Sequence, residues 1–286
     1  MTAIGNDFVR TFDVSGPLDI SVELGSGEIS ITAADITEAS VTLEPGTAGD
    51  PEALDLIARA RVDLRGNALR IDVPREVGFR RHPDVIVAAR VPSASTVAAK
   101  SGSADVRLDG TYGDVKVTAG SGDVWVDAAG DVKVGTGSGD VRLGLVSAAA
   151  VKTGSGDIEV ERCRDGVRLE SASGTVHVSE LGGVGELSTA SGDIELGSVE
   201  GDLQVKTASG DVTVNRVSAG EVQAKTATGN VGIGVIRGTA TLLDCSSITG
   251  QIGSELEPSE EPDTDDHRRL VVRARTVSGS IAIRRA

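Results

Sequence analysis

A short motif returns along the chain and decides the fold, as in VKTGSGDIEV (151–160), LSTASGDIEL (187–196) and VKTASGDVTV (205–214). It contains the tripeptide Ser-Gly-Asp or a close variant, whose glycine recurs roughly every 18 residues through the middle of the chain. A regular period of this length is typical of stacked repeats. The first glycines of the series are Gly122, Gly139, Gly156, Gly174, Gly192 and Gly210.

Apolar and polar residues alternate on both sides of each glycine. Ile158 and Val160 follow one copy, and Leu203 and Val205 precede another. Alternation with β-branched residues predicts two short strands in each repeat. Because about 18 residues cannot bury their own apolar face, neighbouring repeats must stack as parallel strands about 4.8 Å apart. We therefore expect an all-β fold, a single-stranded parallel β-solenoid with coils of about 18 residues.

The turns of the repeat carry glycine, acidic and hydroxyl residues. We expect the glycine to supply a positive φ. Ser and Thr one and three residues before it should hydrogen-bond along the stack. The acid after the glycine is expected to accept hydrogen bonds from the amides of its own turn. Stacked carboxylates could alternatively bind Ca²⁺, which needs about six to eight oxygens. These acids are Asp123, Asp140, Asp157, Asp193 and Asp211.

The two ends of the chain differ from the regular repeats. Residues 1–95 keep strand patterns without the clear period, and we interpret them as a β-rich N-terminal part of irregular coils. Within it, 51–61 is predicted to form a short capping helix, with Asp50 as N-cap and Leu54, Ile57 and Ala58 on one face. Residues 96–286 should form the regular solenoid, interrupted by an exposed acidic loop at 255–268. Because 270–275 and 281–283 resume the strand pattern, we expect the chain to end on a completed rung.

Charge and composition exclude several classes of function. The formal net charge of −15, with no basic run, disfavours nucleic acids and anionic membrane surfaces. No signal peptide or membrane segment is visible, which predicts a cytoplasmic protein. Of the two cysteines, Cys245 falls on an inward position of the repeat and should be buried. No metal or nucleotide motif is present, so we expect no cofactor.

One outward-facing position, three residues after the glycine, is a candidate interaction surface. Trp125 could anchor a protein or a sugar ring there, or could lie covered by residues 1–95. The alternating charges of the other members indicate cross-strand ion pairs. This outward column consists of Trp125, Arg142, Glu159, His177 and Glu195.

His177 is the one residue in the repeats that invites a catalytic interpretation, since glutamates lie on both adjacent rungs and serines nearby. A Ser-His-acid site also needs an oxyanion hole, and no local signature marks a nucleophile. His82 and His267 lie in predicted loops. We therefore predict a surface histidine in a charge ladder, no catalytic residue and no enzyme.

The quoted repeats, together with FDVSGPLDISVELGSGEISI (12–31) and TVSGSIAI (276–283), resemble the bacterial putative-adhesin family of β-strand-repeat proteins of unknown function. The resemblance covers most of the chain. It implies a β-solenoid, right-handed in its coil, and no established enzymatic activity.

Three functions follow as hypotheses. The leading one is a non-catalytic scaffold for protein interaction or self-association, because solenoids offer flat faces and open end rungs. The second is a carbohydrate-binding or polysaccharide-acting β-helix, for which Trp125 and Tyr112 are a thin supply of aromatic platforms. The third is a calcium-binding repeat protein that uses the aspartates of the turns.

Overall fold

Strands account for most of the chain. The structure, a computed structural model, describes residues 8–75, 83–257 and 269–286, which contain 22 strands and one short helix. The all-β class is confirmed. Contacts divide the chain into two units, Met1–Gly144 and Leu145–Ala286, called here the N-terminal and C-terminal units. The division at residue 95 stays a prediction, while His82, His267 and residues 258–268 of the predicted loop lie outside the described residues.

In the N-terminal unit, two double-length strands set the register. β2 and β7 run parallel from the pair Asp19 and Thr96 to the pair Thr32 and Asp109. The stack then continues in parallel through β8 and β9. The strands are β1 (Phe8–Asp13), β2 (Asp19–Ala34), β3 (Glu38–Pro45), β4 (Arg61–Arg65), β5 (Ala68–Asp72), β6 (Val85–Pro92), β7 (Thr96–Thr111), β8 (Val115–Ser121) and β9 (Val124–Ser138).

Antiparallel pairs explain why the first 95 residues lack the period. β5 and β6 are parallel to β2, but β4 pairs with β5, and β3 with both β6 and β1, in the antiparallel sense. Antiparallel strands need only short connections, so a regular coil length is not required there. Within the described residues, β1 and β4 each have one strand partner. β4 is short and exposes Arg61, Asp63 and Arg65.

The predicted helix is present as α1 (Pro51–Arg59). The Asp50 carboxylate accepts a hydrogen bond from the Glu52 amide at 2.9 Å, as an N-cap residue does. The helix ends at Arg59 because Arg61 already begins β4. The predicted apolar face was partly wrong, since α1 buries Ala53, Leu56 and Ile57 against β3 while Ala58 is exposed. A capping role for α1 stays a prediction.

The C-terminal unit is a parallel stack with two strands in each coil. Ile158 pairs with Val176, Val176 with Ile194, and Ile194 with Val212, so each step along the stack is one repeat of the sequence. These inward residues are at most 1% exposed. The predicted β-solenoid and its repeat length are therefore confirmed, whereas the hand of the coil stays a prediction. The strands are β10 (Val141–Ser155), whose first four residues belong to the N-terminal unit, β11 (Ile158–Ser173), β12 (Val176–Leu181), β13 (Val184–Ser191), β14 (Ile194–Val199), β15 (Leu203–Ser209), β16 (Val212–Val217), β17 (Gly220–Thr228), β18 (Val231–Val235), β19 (Ala240–Ser247), β20 (Ile252–Ser254), β21 (Arg269–Thr276) and β22 (Ile281–Arg285).

The last coils do not stack in the order of the chain. β21 and β22 pair with β17 and β18 on one side and with β19 and β20 on the other. Residues 240–254 therefore form the outermost rung of the described stack, here called the terminal rung. The chain does end on a completed rung, β21 with β22, as expected, but residues 269–286 insert beneath the terminal rung rather than on top of it.

The apolar content of the two rungs accounts for this order. Inward positions on β21 and β22 hold Leu270, Val272 and Ile283, all at most 1% exposed. At the positions that pair with them, β19 and β20 carry Thr241, Leu243 and Ser254. Burial of aliphatic side chains from both sides stabilises a rung more than burial of hydroxyls. The more apolar rung therefore occupies the position that is covered on both sides.

Candidate functional site

The aspartates of the turns connect successive coils. The Asp123 carboxylate accepts a hydrogen bond from the Asp140 amide at 2.9 Å, and Asp193 accepts one from the Asp211 amide at 2.8 Å. Asp157 accepts from the Thr175 amide at 2.8 Å in the same way. The predicted bonds to the acid's own turn were wrong, because the free amide belongs to the next coil. The repeated acid has a structural role in stacking.

Close stacking also explains most of the turn glycines. A Cβ at Gly139 would overlap the carbonyl oxygen of Gly122, and one at Gly192 that of Gly174. Of the six predicted turn glycines only Gly174 and Gly210 have a positive φ, at 156° and 158°, near the extended limit. The expectation of a positive φ at each turn was therefore wrong. Glycine is needed because the backbone of the adjacent coil leaves no room for a side chain.

Five of the eight hydroxyls three residues before the glycine bond along the stack, so that expectation is confirmed only in part. Thr276 donates to the Gly229 carbonyl at 3.0 Å and Thr226 to the Gly210 carbonyl at 3.2 Å. The buried hydroxyls of Thr136, Thr153 and Thr189 have no hydrogen-bond partner among the described residues.

In the N-terminal unit, Trp125 is partly covered by its neighbour on β7. Its side chain is 44% exposed, and the Arg107 guanidinium lies 5.1 Å from the ring centroid. This is a cation–π distance. Arg107 in turn lies 2.9 Å from Asp109 on the same strand. A contact of residues 1–95 with Trp125 stays a prediction. Arg142, in the same unit, lies 3.3 Å from Asp140.

In the C-terminal unit, the outward column forms a charge ladder around His177. Glu159, His177 and Glu195 are direct neighbours across β11, β12 and β14. His177 Nδ1 lies 3.7 Å from a Glu195 carboxylate oxygen. Cross-rung pairs recur beside it, with Arg162 to Glu180 at 2.6 Å.

Ser179 brings a hydroxyl to the other nitrogen of the same histidine, with 3.1 Å between Nε2 and Oγ. Serine, histidine and glutamate thus meet on one outward face; the sequence analysis predicted the glutamates beside His177 but did not single out Ser179. The backbone amides of β12 around these side chains take part in the parallel pairing of β12 with β11 and with β14. An oxyanion needs free, converging donors, which a paired strand does not provide. The arrangement fits a surface hydrogen-bond network.

Tyr112 and Cys163 carry reactive groups, but both side chains are buried. Tyr112 is 3% exposed and donates to the Ile31 carbonyl at 2.6 Å, and burial raises the pKa of its phenol. It cannot serve as an open platform for a sugar. Cys163 is buried, and desolvation raises the pKa of its thiol, which disfavours the reactive thiolate. Cys245 is only half-buried, contrary to expectation, because it lies on the terminal rung.

The rest of the described surface was compared with the requirements of a metal site and of a membrane-spanning helix. Within residues 8–75, 83–257 and 269–286, no three His, Cys, Asp or Glu side chains are grouped so that they could hold a metal ion. Three surface grooves of the C-terminal unit have volumes of 300, 440 and 340 Å³, and of the predicted site residues only Asp211 lines one of them. In that described part of the chain, no helix has the length and apolar character needed to cross a membrane.

Exposed apolar side chains gather at the terminal rung, which the sequence analysis did not single out. Leu242, Ile248 and Ile252 are 65%, 74% and 49% exposed, and Val277 on the adjoining rung is 50% exposed. The repeat does contain a sequence signal for this apolar end. The residue two before the turn glycine is Gly or Ala in the first seven copies and changes to Ile248 and Val277 in the last two. At this turn position the last two copies therefore carry a large apolar side chain, where the earlier copies carry Gly or Ala.

Several solved structures are similar to this chain at low sequence identity. A putative lipid binding protein from Parabacteroides distasonis is 15% identical, with a TM-score of 0.42 over 98% of this chain and 97% of its own. A putative adhesin from the same species is 14% identical, with a TM-score of 0.39 over 98% and 97%. Another from Bacteroides fragilis is 14% identical, with a TM-score of 0.39 over 97% and 96%. None of the curated proteins matches the chain.

A protein-family model described as Toastrack DUF4097 matches residues 13–183 and 185–284, which together make up nearly the whole chain. The matched stretches contain the repeats, the turn aspartates and both strand columns described above. The resemblance quoted from the repeats is thereby confirmed. The chain belongs to the Toastrack DUF4097 family.

Proposed function

We propose that this chain is a non-catalytic, adhesin-like β-solenoid scaffold that binds protein through its terminal rung. The observation that carries the proposal is the exposure of four large apolar side chains, Leu242, Ile248, Ile252 and Val277, on the terminal rung and the rung beside it. Exposed apolar patches on a stable domain mark interaction sites. The turn aspartates and glycines are meanwhile occupied by stacking, so the repeated turn residues need no further ligand to explain them.

The absence of enzymatic activity is part of the proposal. Its support is that His177 and Ser179 lie on an open strand face whose amides are already paired. A protein partner also fits better than a polyanion, since the formal net charge is −15. A cytoplasmic location stays a prediction.

Carbohydrate binding is the second candidate and rests on Trp125 alone, because Tyr112 is buried. Calcium binding is the third, and its support is weak, since the carboxylates of Asp123, Asp157, Asp193 and Asp211 already accept an amide of the next coil. A melting temperature that rises with added Ca²⁺ and falls with chelator would favour the third over the scaffold.

Site-specific photo-crosslinking in cells that express the chain tests the scaffold. A photo-reactive residue replaces Ile248 on the terminal rung, or Val184, which is 61% exposed on β13, as a control. We expect protein adducts from position 248 and few from position 184. Equal yields at both positions, or none at either, would contradict binding through the terminal rung.

A further inference from the structure

Three cations lie on adjacent rungs of the C-terminal unit and are called here the basic column. Lys206 pairs with Lys225 in the register of β15 and β17, and Lys225 pairs with Arg275 in that of β17 and β21. All three side chains are exposed. Since parallel strands lie about 4.8 Å apart, the column extends about 10 Å along the stack. Like charges directly opposite one another destabilise a sheet, so the column does not stabilise the fold.

Earlier cations on the same face are balanced by glutamates. Lys152 lies 3.3 Å from Glu170, which precedes the basic column in the same outward row. Arg168 lies 3.1 Å from Glu186 on the next rung. The first rungs of this face therefore carry cations and acids in alternation, as cross-strand pairs do.

The balancing acids are missing where the basic column begins. Gln204 and then Gln223 hold the position that Glu186 holds on the preceding rung. Within the described ranges, the two lysines of the column have no ion pair. Arg275 has one acid nearby, Asp244 at 3.6 Å. At least two of the three positive charges are therefore available to an external anion.

This end of the chain is cationic, although the chain as a whole carries a formal charge of −15. Residues 203–257 and 269–286, which form the last described rungs, contain nine Lys and Arg against five Asp and Glu. At physiological salt, exposed charges are screened over about 8 Å, so a ligand on the column experiences mainly these nearby charges. The net charge of the chain therefore does not exclude an anionic partner at this place.

Exposed aliphatic side chains adjoin the basic column. Val277 follows Arg275 by two residues and is 50% exposed. Ile248, 74% exposed, lies beside it on the terminal rung, where the Thr249 amide donates to the Val277 carbonyl at 3.1 Å. Sugar rings dock on aromatic faces, and residues 203–286 contain no Phe, Trp or Tyr. Cations beside aliphatic side chains suit a peptide better than a polysaccharide.

We propose that the basic column, together with Val277 and Ile248, binds an extended protein segment in which acidic residues lie near an apolar one. This inference rests on the proposed scaffold function and names the chemistry of its partner. An extended segment presents every second side chain on the same side, about 7 Å apart. Two carboxylates thus match the length of the column, while an apolar side chain covers the two aliphatic ones.

Fluorescence anisotropy with labelled synthetic peptides tests the proposal. The probe alternates Glu with Ser and carries Leu at both ends. One control peptide replaces every Glu by Gln, and the other replaces both Leu by Ser. We expect the probe to bind the chain and to bind less tightly as salt is added. The Gln peptide should bind about tenfold more weakly, and the peptide without Leu should also be weaker.

Charge reversal locates the binding site. Lys206→Glu combined with Lys225→Glu should weaken binding of the probe at least about tenfold. Lys116→Glu combined with Lys133→Glu is the matched control, since these lysines are also exposed and pair across β8 and β9. It changes the net charge equally and should bind like the wild type. Equal losses in the two double variants would overturn the proposal. Circular dichroism and the melting temperature establish that each variant is folded.

Two further results would assign the column to another ligand. Tighter binding of an oligogalacturonate than of the probe would identify an acidic polysaccharide and overturn the proposal. Binding of the probe that is seen only after acids outside the described residues are replaced by their amides would also overturn it, because the column would then serve this chain's own acids. Those acids are Glu260, Glu261, Asp263, Asp265 and Asp266.

Photo-crosslinking at position 248 separates this inference from the proposed function. We expect the Lys206→Glu, Lys225→Glu variant to lose protein adducts there together with binding of the probe. If the variant keeps adducts at the wild-type yield, the acidic partner is refuted and the scaffold stands. A wild-type chain that neither binds the probe nor forms adducts would refute both.

Discussion

Replacing glycine by alanine should have opposite effects at two positions of the C-terminal unit. At Gly192 a Cβ would overlap the carbonyl oxygen of Gly174 and lie 3.2 Å from the Thr189 hydroxyl. Overpacking of this kind costs about 1–3 kcal/mol. The lower entropy of an unfolded alanine returns about 0.5–1 kcal/mol. We expect Gly192→Ala to lower the free energy of unfolding by about 1–2 kcal/mol.

Gly232 on β18 is the matched control, because a Cβ there meets no atom within 4 Å. Neither glycine has a positive φ, so only the space above the Cα differs. Gly232→Ala should therefore stabilise the protein by about 0.4–1 kcal/mol. Urea unfolding followed by circular dichroism measures the free energy of unfolding of both variants. If this free energy falls by about 2 kcal/mol per molar urea, the urea midpoint of Gly192→Ala should lie roughly 0.5–1 M below that of the wild type. Equal shifts in the same direction would refute the stacking explanation.

Three further changes test separate parts of the account. Tyr112→Phe removes a buried hydroxyl that donates to backbone carbonyls, and the melting curve should show a loss of about 1–3 kcal/mol; no loss would contradict the role of that hydroxyl. The pKa of Glu170 is lowered mainly by its hydrogen bond with Arg168 and also by the one with Lys152. The ionised carboxylate should therefore stabilise the protein at neutral pH, and this stabilisation should be lost as the pH falls through the lowered pKa. Glu170→Gln should thus be less stable than the wild type by under about 1 kcal/mol at neutral pH and equal to it in acid, and a difference that grows in acid would reverse the assignment. The wild type should hydrolyse p-nitrophenyl acetate no faster than Ser179→Ala; a clear excess would identify an enzyme.

The repeat itself was readable from the sequence because each of its positions has one environment. Inward aliphatic residues and a stacked glycine recur from coil to coil, and a parallel stack is the one arrangement that buries every copy of Ile158 or Val176 alike. The helix was also readable, since Asp50 and Pro51 are local signals. Features that depend on a local sequence pattern could therefore be predicted.

Contacts between coils were harder to predict, since they depend on which atoms a neighbouring coil brings close. The Asp193 carboxylate reaches the amide of Asp211 rather than its own turn, and no spacing rule separates those alternatives. The order of the last rungs depends on a comparison of two rungs, in which Leu270 and Val272 offer more apolar burial than Thr241 and Leu243. Ser179 meets His177 because residues two apart on a strand share a face, and this could have been anticipated.

The order of the last rungs underlies the proposed function, and hydrogen–deuterium exchange at low protein concentration tests it most directly. β21 is paired on both sides and β19 on one, so amides of 269–276 should exchange much more slowly than those of 240–247. That result would establish β19 as the outer edge of the described stack. If 240–247 were instead protected and 269–276 exchanged rapidly, the rungs would stack in chain order, and the terminal rung proposed for binding would not exist.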